Sequence, residues 1–230
     1  MMMTMGAAIR VANTPETTVN MVKKGAKMVR IAADVSPRLY RELVTEVSLE
    51  KSALRAMAMG IAPATVRESE RVVASIREVL MRHGWRVALT FLASPGEVDL
   101  GGLSGTPGLV LLVTRTPRHG PLTVHALTDR LETHPFGYRQ PLKGEPLVDP
   151  AAIEVVFVPG VLFAVNGGRL GRGKGYFDKL LSTLHPRPYL IGATLDRRVV
   201  SKLPMTESDV YMDAITTESG FREAHAIASS

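Results

Sequence analysis

Gly167 to Gly175 carries five glycines and three basic side chains, Arg169, Arg172 and Lys174. Gly171, Gly173 and Gly175 alternate with Arg172 and Lys174. Glycine allows positive φ and close approach of backbone to a ligand. Guanidinium and ammonium groups donate to phosphate oxygens. The chemistry available to such a loop is to hold a phosphate chain. Asp178 follows just inside a helix start, where a carboxylate interacts favourably with the dipole. It could equally reach a magnesium ion bridging phosphate oxygens. A flexible surface turn capped by charges uses the same residue types, and the glycine pattern alone leaves both readings open. The loop is not a Walker loop, since no Gly-Lys-Ser/Thr is present, and it lacks the spacing of the dinucleotide fingerprint.

The neighbouring elements position that loop. Val155 to Val158 is an apolar run closed by Pro159-Gly160, suited to a buried strand and a turn. Tyr176 to Leu184 reads as an amphipathic helix. Strand, glycine loop and helix together present backbone N–H groups to phosphate. Earlier, Leu39, Leu43, Val44 and Val47 recur at helical spacing from Pro37. Lys51 and Arg55 continue that helix as an i, i+4 pair on one face, which from spacing alone fits a solvated basic face. Pro63 to His83 is a second helix, with Pro63 in its first turn and Gly84 as its stop. Strands are expected at Arg86 to Leu92, Leu109 to Val113, Leu122 to Leu127, Tyr189 to Leu195 and Met212 to Thr217, the last of the chain. Glu97 and Asp99 lie after the first of these, at the strand end where open parallel sheets place ligands. They also suit a turn or helix start. Helix and strand signals alternate, which implies a three-layer α/β/α fold with a mainly parallel sheet.

Composition bounds the function. The 230 residues, 45% hydrophobic, suffice for one α/β core. The absence of cysteine excludes disulfides and thiolate metal sites. No apolar run reaches the ~20 residues of a membrane span. A net charge of +6 and a pI near 9.8 suit a polyanionic ligand. The basic residues are dispersed without interleaved aromatics, which argues against nucleic acid as the partner. Residues 1–35 are methionine-rich, basic and nearly free of acid. They read as a basic extension, either disordered or a mitochondrial or plastid transit peptide. Residues 36–220 form the single domain and 221–230 a frayed tail. The expected state is a cytoplasmic monomer, or an organellar one if the extension is a transit peptide.

Val158-Pro159-Gly160 followed by Gly168-Arg169-Leu170-Gly171-Arg172-Gly173-Lys174-Gly175-Tyr176-Phe177-Asp178 resembles the signature of the 5-formyltetrahydrofolate cyclo-ligases, or methenyltetrahydrofolate synthetases. Phe177 stands where that family usually has tyrosine. The resemblance extends from about Glu46 to Glu218, with matched segments in order. Lys51 and Arg55 match a helical Lys-x-x-x-Arg that contacts ATP. Glu97 matches a glutamate that meets the folate, and Leu92 is a candidate for the pterin wall. Gly137 and Pro141 match a segment lining the folate pocket, where Gln140 replaces the usual glutamate, keeping hydrogen-bonding capacity but not charge. Asp209 matches an acid that helps hold magnesium, with Ser208 where histidine is usual. Thr217-Glu218 matches the closing Thr-Glu.

The resemblance implies a fold related to the NagB/RpiA/CoA-transferase group. It implies ATP- and magnesium-dependent conversion of 5-formyltetrahydrofolate, with or without a polyglutamate tail, to 5,10-methenyltetrahydrofolate, with ADP and phosphate as products. It places ATP against Lys51, Arg55 and the run Arg169, Leu170, Gly171, Arg172, Gly173, Lys174, Gly175, Tyr176, Phe177 and Asp178. Folate would meet Leu92, Glu97, Gln140 and Tyr176. Lys174 and Tyr176 are the catalytic candidates, and Asp178 and Asp209 the metal ligands. A non-catalytic nucleotide- or folate-binding paralogue is the alternative, motivated by Gln140, Ser208 and Phe177.

Overall fold

Apolar runs bounded by turns become the middle of one sheet. The structure is a computed structural model that describes residues 20–24, 27–31 and 37–224, with side chains from Val44 onward. A hairpin of β1 (Asn20–Lys24) and β2 (Lys27–Ile31) precedes α1 (Pro37–Ala58) and α2 (Val66–His83). Then come β3 (Val87–Thr90), β4 (Val110–Arg115) and β5 (Thr123–Ala126), and a small hairpin of β6 (Leu131–Thr133) and β7 (Arg139–Pro141). β8 (Val155–Val158), β9 (Leu162–Ala164) and β10 (Arg169–Leu170) lead to α3 (Tyr176–Thr183). The chain closes with β11 (Tyr189–Ala193), β12 (Val199–Val200), β13 (Ala214–Thr217) and β14 (Gly220–Glu223).

The main sheet has the order β14-β13-β11-β8-β3-β4-β5. Its five inner strands pair in parallel, with Ile191 beside Phe157 and Leu89 beside Val156, and both edge strands are antiparallel. Parallel strands covered on both faces are apolar throughout, and β8 is buried at all four positions. Side chains alternate across the sheet. Val155 and Phe157 pack with Val72, Ile76 and Val79 of α2. Val156 and Val158 pack with Leu180 and Leu181 of α3. This is the expected α/β/α layering. Each fully buried side chain of this size contributes roughly 1.5–3 kcal/mol.

A third cluster holds α1. Leu54 and Ala58 pack on Leu162, Ala164, Leu170 and Met205, at the small sheet β10-β9-β12.

Three expectations change. α2 starts at Val66, so Pro63 lies before the helix rather than in its first turn. Thr65 and Glu68 close the helix instead: Glu68 N–H donates to Thr65 Oγ1 at 3.2 Å, and Thr65 N–H donates to Glu68 Oε2 at 2.8 Å. That reciprocal capping box fixes the entry. The strand expected from Met212 begins at Ala214 and is not the last. β14 pairs with it, placing Arg222 opposite Ile215, so Arg222 and Glu223 belong to the sheet edge and not to a tail. Of the amino-terminal extension, β1 and β2 are described, while residues 1–19 lie outside the described residues, as do 225–230. Gly84 ends α2 as expected, with φ 71° and its N–H bonded to Leu80 O at 2.9 Å.

Candidate active site

The carboxyl ends of β3 and β8 open into a cleft of about 920 Å³. Open parallel sheets bind ligands at these strand ends. α1 forms one side, the glycine loop the floor, and the β6–β7 turn the opposite rim.

The glycine loop runs from the end of β10 to the start of α3. Gly173 has φ 94° and Gly175 has φ 65°, a region that side chains with a Cβ rarely enter. Gly175 is the amino-terminal cap of α3, and no side chain caps that helix. Its first-turn N–H groups therefore remain available to an anion. A Cβ on Gly173 would sit 3.3 Å from Arg55 Cζ, and one on Gly171 would sit 2.8 Å from an Arg169 guanidinium nitrogen. Dihedral angle thus favours glycine at 173 and 175, and the guanidinium groups packed against the loop leave little room for a Cβ at 171 and 173.

Those arginines brace the loop. Arg55 Nε donates to Gly171 O at 2.8 Å. Arg169 is buried beneath the loop, donating to Asp178 Oδ1 at 2.6 Å and to Pro159 O at 3.2 Å, while its Nε has no partner among the described residues. Leu170, 1% exposed, turns its side chain into the α1 cluster at the edge of the cleft. Arg172 reaches across the cleft to Glu97. Lys174 is exposed, lines the cleft and has no described partner.

Two carboxylates stand together beyond the loop. Asp209 Oδ2 pairs with Lys51 Nζ and accepts from Thr206 N–H at 2.6 Å and Thr206 Oγ1 at 2.8 Å. Val210 N–H points at Asp178 Oδ1 from 3.5 Å, which brings the backbone just after Asp209 against Asp178. Among the described residues no donor engages Asp178 Oδ2 or Asp209 Oδ1. Ser208 turns to the Thr206 hydroxyl, at 3.1 Å. No group of three or more His, Cys, Asp or Glu able to hold a metal occurs among the described residues. A metal here would take two carboxylate oxygens and draw its other ligands from elsewhere.

Of the residues expected at a folate, Leu92, Glu97 and Tyr176 line the cleft. Gln140 lies just behind it, 3% exposed. Its Oε1 accepts from Thr116 N–H at 3.1 Å and its Nε2 donates to Glu132 Oε1 at 2.9 Å. Arg115, and after it Gln140, hold the Glu132 carboxyl below the usual carboxylate range. Gln140 therefore locks the β6–β7 hairpin to β4, and the hairpin's turn carries the cleft wall. Phe136, 68% exposed, and Tyr138 contribute that wall with Arg139. The His134 ring stacks on Tyr138 at 4.5 Å, and the Tyr138 hydroxyl bonds to Thr116 Oγ1 at 2.8 Å. Sequence reasoning passed over Phe136, Tyr138 and Arg139; aromatics flanking Gly137 in a polar turn were the available signal.

The cleft therefore combines a phosphate-receptive loop, an acid pair and an aromatic rim. No helix among the described residues is long and apolar enough to cross a membrane. Residues 104–218 match the model of the 5-formyltetrahydrofolate cyclo-ligase family. A probable 5-formyltetrahydrofolate cyclo-ligase of Caenorhabditis elegans is 33% identical over 98 residues, covering 39% of this chain and 48% of that protein. The 5-formyltetrahydrofolate cyclo-ligase of Saccharomyces cerevisiae is 36% identical over 93 residues, covering 37% of this chain and 43% of that protein. The chain thus spans about half the length of the curated relatives it matches. The NMR structure of Aquifex aeolicus 5,10-methenyltetrahydrofolate synthetase superposes with a TM-score of 0.64 at 24% identity, over 80% of this chain and 95% of that one. That likeness establishes the fold.

Proposed function

The chain belongs to the 5-formyltetrahydrofolate cyclo-ligase family, and from that premise we propose that it converts 5-formyltetrahydrofolate and ATP to 5,10-methenyltetrahydrofolate, ADP and phosphate. The observation that carries the proposal is the meeting, in one cleft, of the open glycine loop, the Asp178–Asp209 pair and an aromatic wall. Each of the three chemical needs of the reaction has a matching surface there.

The formyl oxygen is a poor leaving group. In the proposed reaction it attacks the γ-phosphorus, and the bond to ADP breaks. N10 then attacks the formyl carbon and loses its proton. The carbon–oxygen bond breaks, phosphate leaves with the former formyl oxygen, and the ring is closed. Phosphoryl transfer needs in-line positioning and charge stabilisation more than covalent help from protein.

Backbone N–H groups of residues 171–175 and the start of α3 hold phosphate oxygens, and Lys174 supplies a mobile positive charge. Arg169 acts from beneath, fixing the loop through Asp178. Lys51 and Arg55 close the α1 side. Tyr176, at the loop's exit, meets the substrate near the formyl group. Leu92, Phe136 and Tyr138 flank the pterin, Glu97 accepts from its N–H edge, and Gln140 holds the Phe136 turn in place. Asp178 Oδ2 and Asp209 Oδ1 fit a magnesium ion, which commonly takes one or two carboxylates plus phosphate oxygens and water. When bound, magnesium supplies neutralisation of phosphate charge. Monomeric state and cytoplasmic placement belong to the same proposal, as does acceptance of polyglutamylated substrate, whose tail carboxylates suit a basic protein.

The test is absorbance in the methenyl-folate band on mixing protein, (6S)-5-formyltetrahydrofolate, ATP and magnesium. A rise that requires all four and is matched by ADP supports the proposal. Binding of ATP without any rise defeats it and leaves a nucleotide-binding paralogue.

A further inference from the structure

Arg172 belongs to the glycine loop, and Glu97 to the turn after β3. Nε and Nη2 of Arg172 both donate to Glu97 Oε1, at 3.1 and 2.9 Å. The other carboxylate oxygen, Oε2, accepts from Ser94 N–H at 2.9 Å. In the free protein both oxygens of Glu97 are therefore engaged, one of them by a cation that the phosphate loop supplies.

The burial of the pair is unequal. The Glu97 side chain is 15% exposed and that of Arg172 is 55% exposed. An exposed guanidinium leaves such a pair at little cost, because water takes it up. A mostly buried carboxylate that loses its donor pays its full desolvation. Among the described residues no second side chain donates to Glu97, and Arg198 reaches it through charge alone. Arg198 lines the chamber of about 60 Å³ beneath the bridge. Its guanidinium is directed to Val161 O at 3.2 Å and Ile61 O at 3.5 Å.

We propose that Arg172 is a relay that couples the two halves of the cleft: it turns from Glu97 to the nucleotide's phosphates when a ligand with adjacent N–H donors, of the aminopyrimidine type, takes Glu97. The inference rests on the folate-and-nucleotide reading above. Glu97 keeps a donor throughout the exchange, and the phosphates gain a bidentate cation. Because binding free energies are linked, each ligand tightens the other by the same factor. In the absence of folate the loop binds nucleotide without Arg172 and therefore weakly. Arg172 is thus a nucleotide-binding residue whose free-state partner reports occupancy of the other subsite.

The experiment is calorimetric titration of the full chain with magnesium and a non-hydrolysable ATP analogue carrying a β,γ-imido bridge. It is run with and without saturating tetrahydrofolate, which has no formyl group to activate. Wild-type protein is expected to bind the analogue about 5- to 50-fold tighter with tetrahydrofolate present. Glu97→Ala releases Arg172 beforehand. It is expected to bind the analogue without folate about as tightly as wild type does with it, and that gain also shows that the variant folds. Arg172→Gln is expected to bind weakly in both conditions, with a ratio near one. Unchanged or weaker analogue binding in Glu97→Ala overturns the relay, as does coupling that persists in Arg172→Gln. If wild type forms methenyl product but binds the analogue equally with and without tetrahydrofolate, the relay alone falls. If it binds neither ligand and forms no product, the functional reading falls with it.

Discussion

Asp178→Ala is expected to destabilise the protein independently of any effect on turnover. The reason is Arg169, whose side chain is 3% exposed and pairs with Asp178 at 2.6 Å. Among the described residues its one other hydrogen bond goes to Pro159 O at 3.2 Å, and its Nε has no partner. Removing the carboxylate leaves a buried cation with a single carbonyl acceptor. Breaking a buried pair from one side costs about 3–5 kcal/mol. Asp178 is itself 23% exposed, so water can occupy part of its place, and the lower end, about 3 kcal/mol, applies. For a domain of this size that corresponds to a fall in Tm of roughly 6–12 °C. Asp178→Asn keeps an acceptor at the same position and should lose only about 1–2 kcal/mol, since a hydrogen bond to a charged group survives. Urea unfolding followed by circular dichroism measures both. An Asp178→Ala variant within 1 kcal/mol of wild type would refute the assignment of Asp178 as the brace for Arg169, and with it the account of how the loop floor is fixed.

Lys174→Ala removes an exposed charge with no described structural partner, so its stability should be unchanged while turnover falls at least ~100-fold, the scale typical of a group that stabilises a transferring phosphoryl; steady-state kinetics with unaltered unfolding would check it. Gln140→Glu replaces the Nε2 donor, 2.9 Å from Glu132 Oε1, with a second carboxyl at a 3% exposed position. It should destabilise by about 2 kcal/mol at neutral pH, and the loss should shrink as pH falls and the introduced carboxyl becomes a donor; urea titrations across pH measure this. Glu68 is held down to about 2 by Arg197 first, with help from Thr65, against an ordinary 4.5. A depressed carboxylate stabilises the fold above its unfolded value and loses that contribution as pH falls through the folded value. Glu68→Gln should therefore be less stable than wild type at pH 7, with the gap closing between about pH 4.5 and pH 2; a pH series of thermal melts would show whether it does.

The parts of the site carried by residue type and local spacing were legible in the sequence. The glycine loop, its basic residues and Asp178 lie within one run, and Lys51 and Arg55 share a helix face because they are four apart. Partner choice was not legible. Lys51 meets Asp209 across 158 positions, and Arg172 meets Glu97 across 75, so only the folded sheet brings them together. Gln140 illustrates the same limit: its type suggests a ligand contact, while its neighbours Thr116 and Glu132 use both ends of the amide. The central strands were legible because parallel strands buried on both faces are apolar runs. β14 was hidden because an edge strand exposes one side, and Arg222 and Glu223 read as solvent-facing. The start of α2 was misplaced because Pro63 is a first-turn residue by type, whereas the Thr65–Glu68 capping box decides the boundary.

In the proposed reaction the formyl oxygen is the phosphoryl acceptor. The most direct measurement uses 5-formyltetrahydrofolate labelled with heavy oxygen at the formyl group, with mass analysis of the phosphate released during a single turnover in ordinary water. One heavy oxygen is expected in each phosphate, formed in step with methenyl product. Unlabelled phosphate accompanying product would contradict it, because the oxygen that leaves the carbon would then never have been attached to phosphorus.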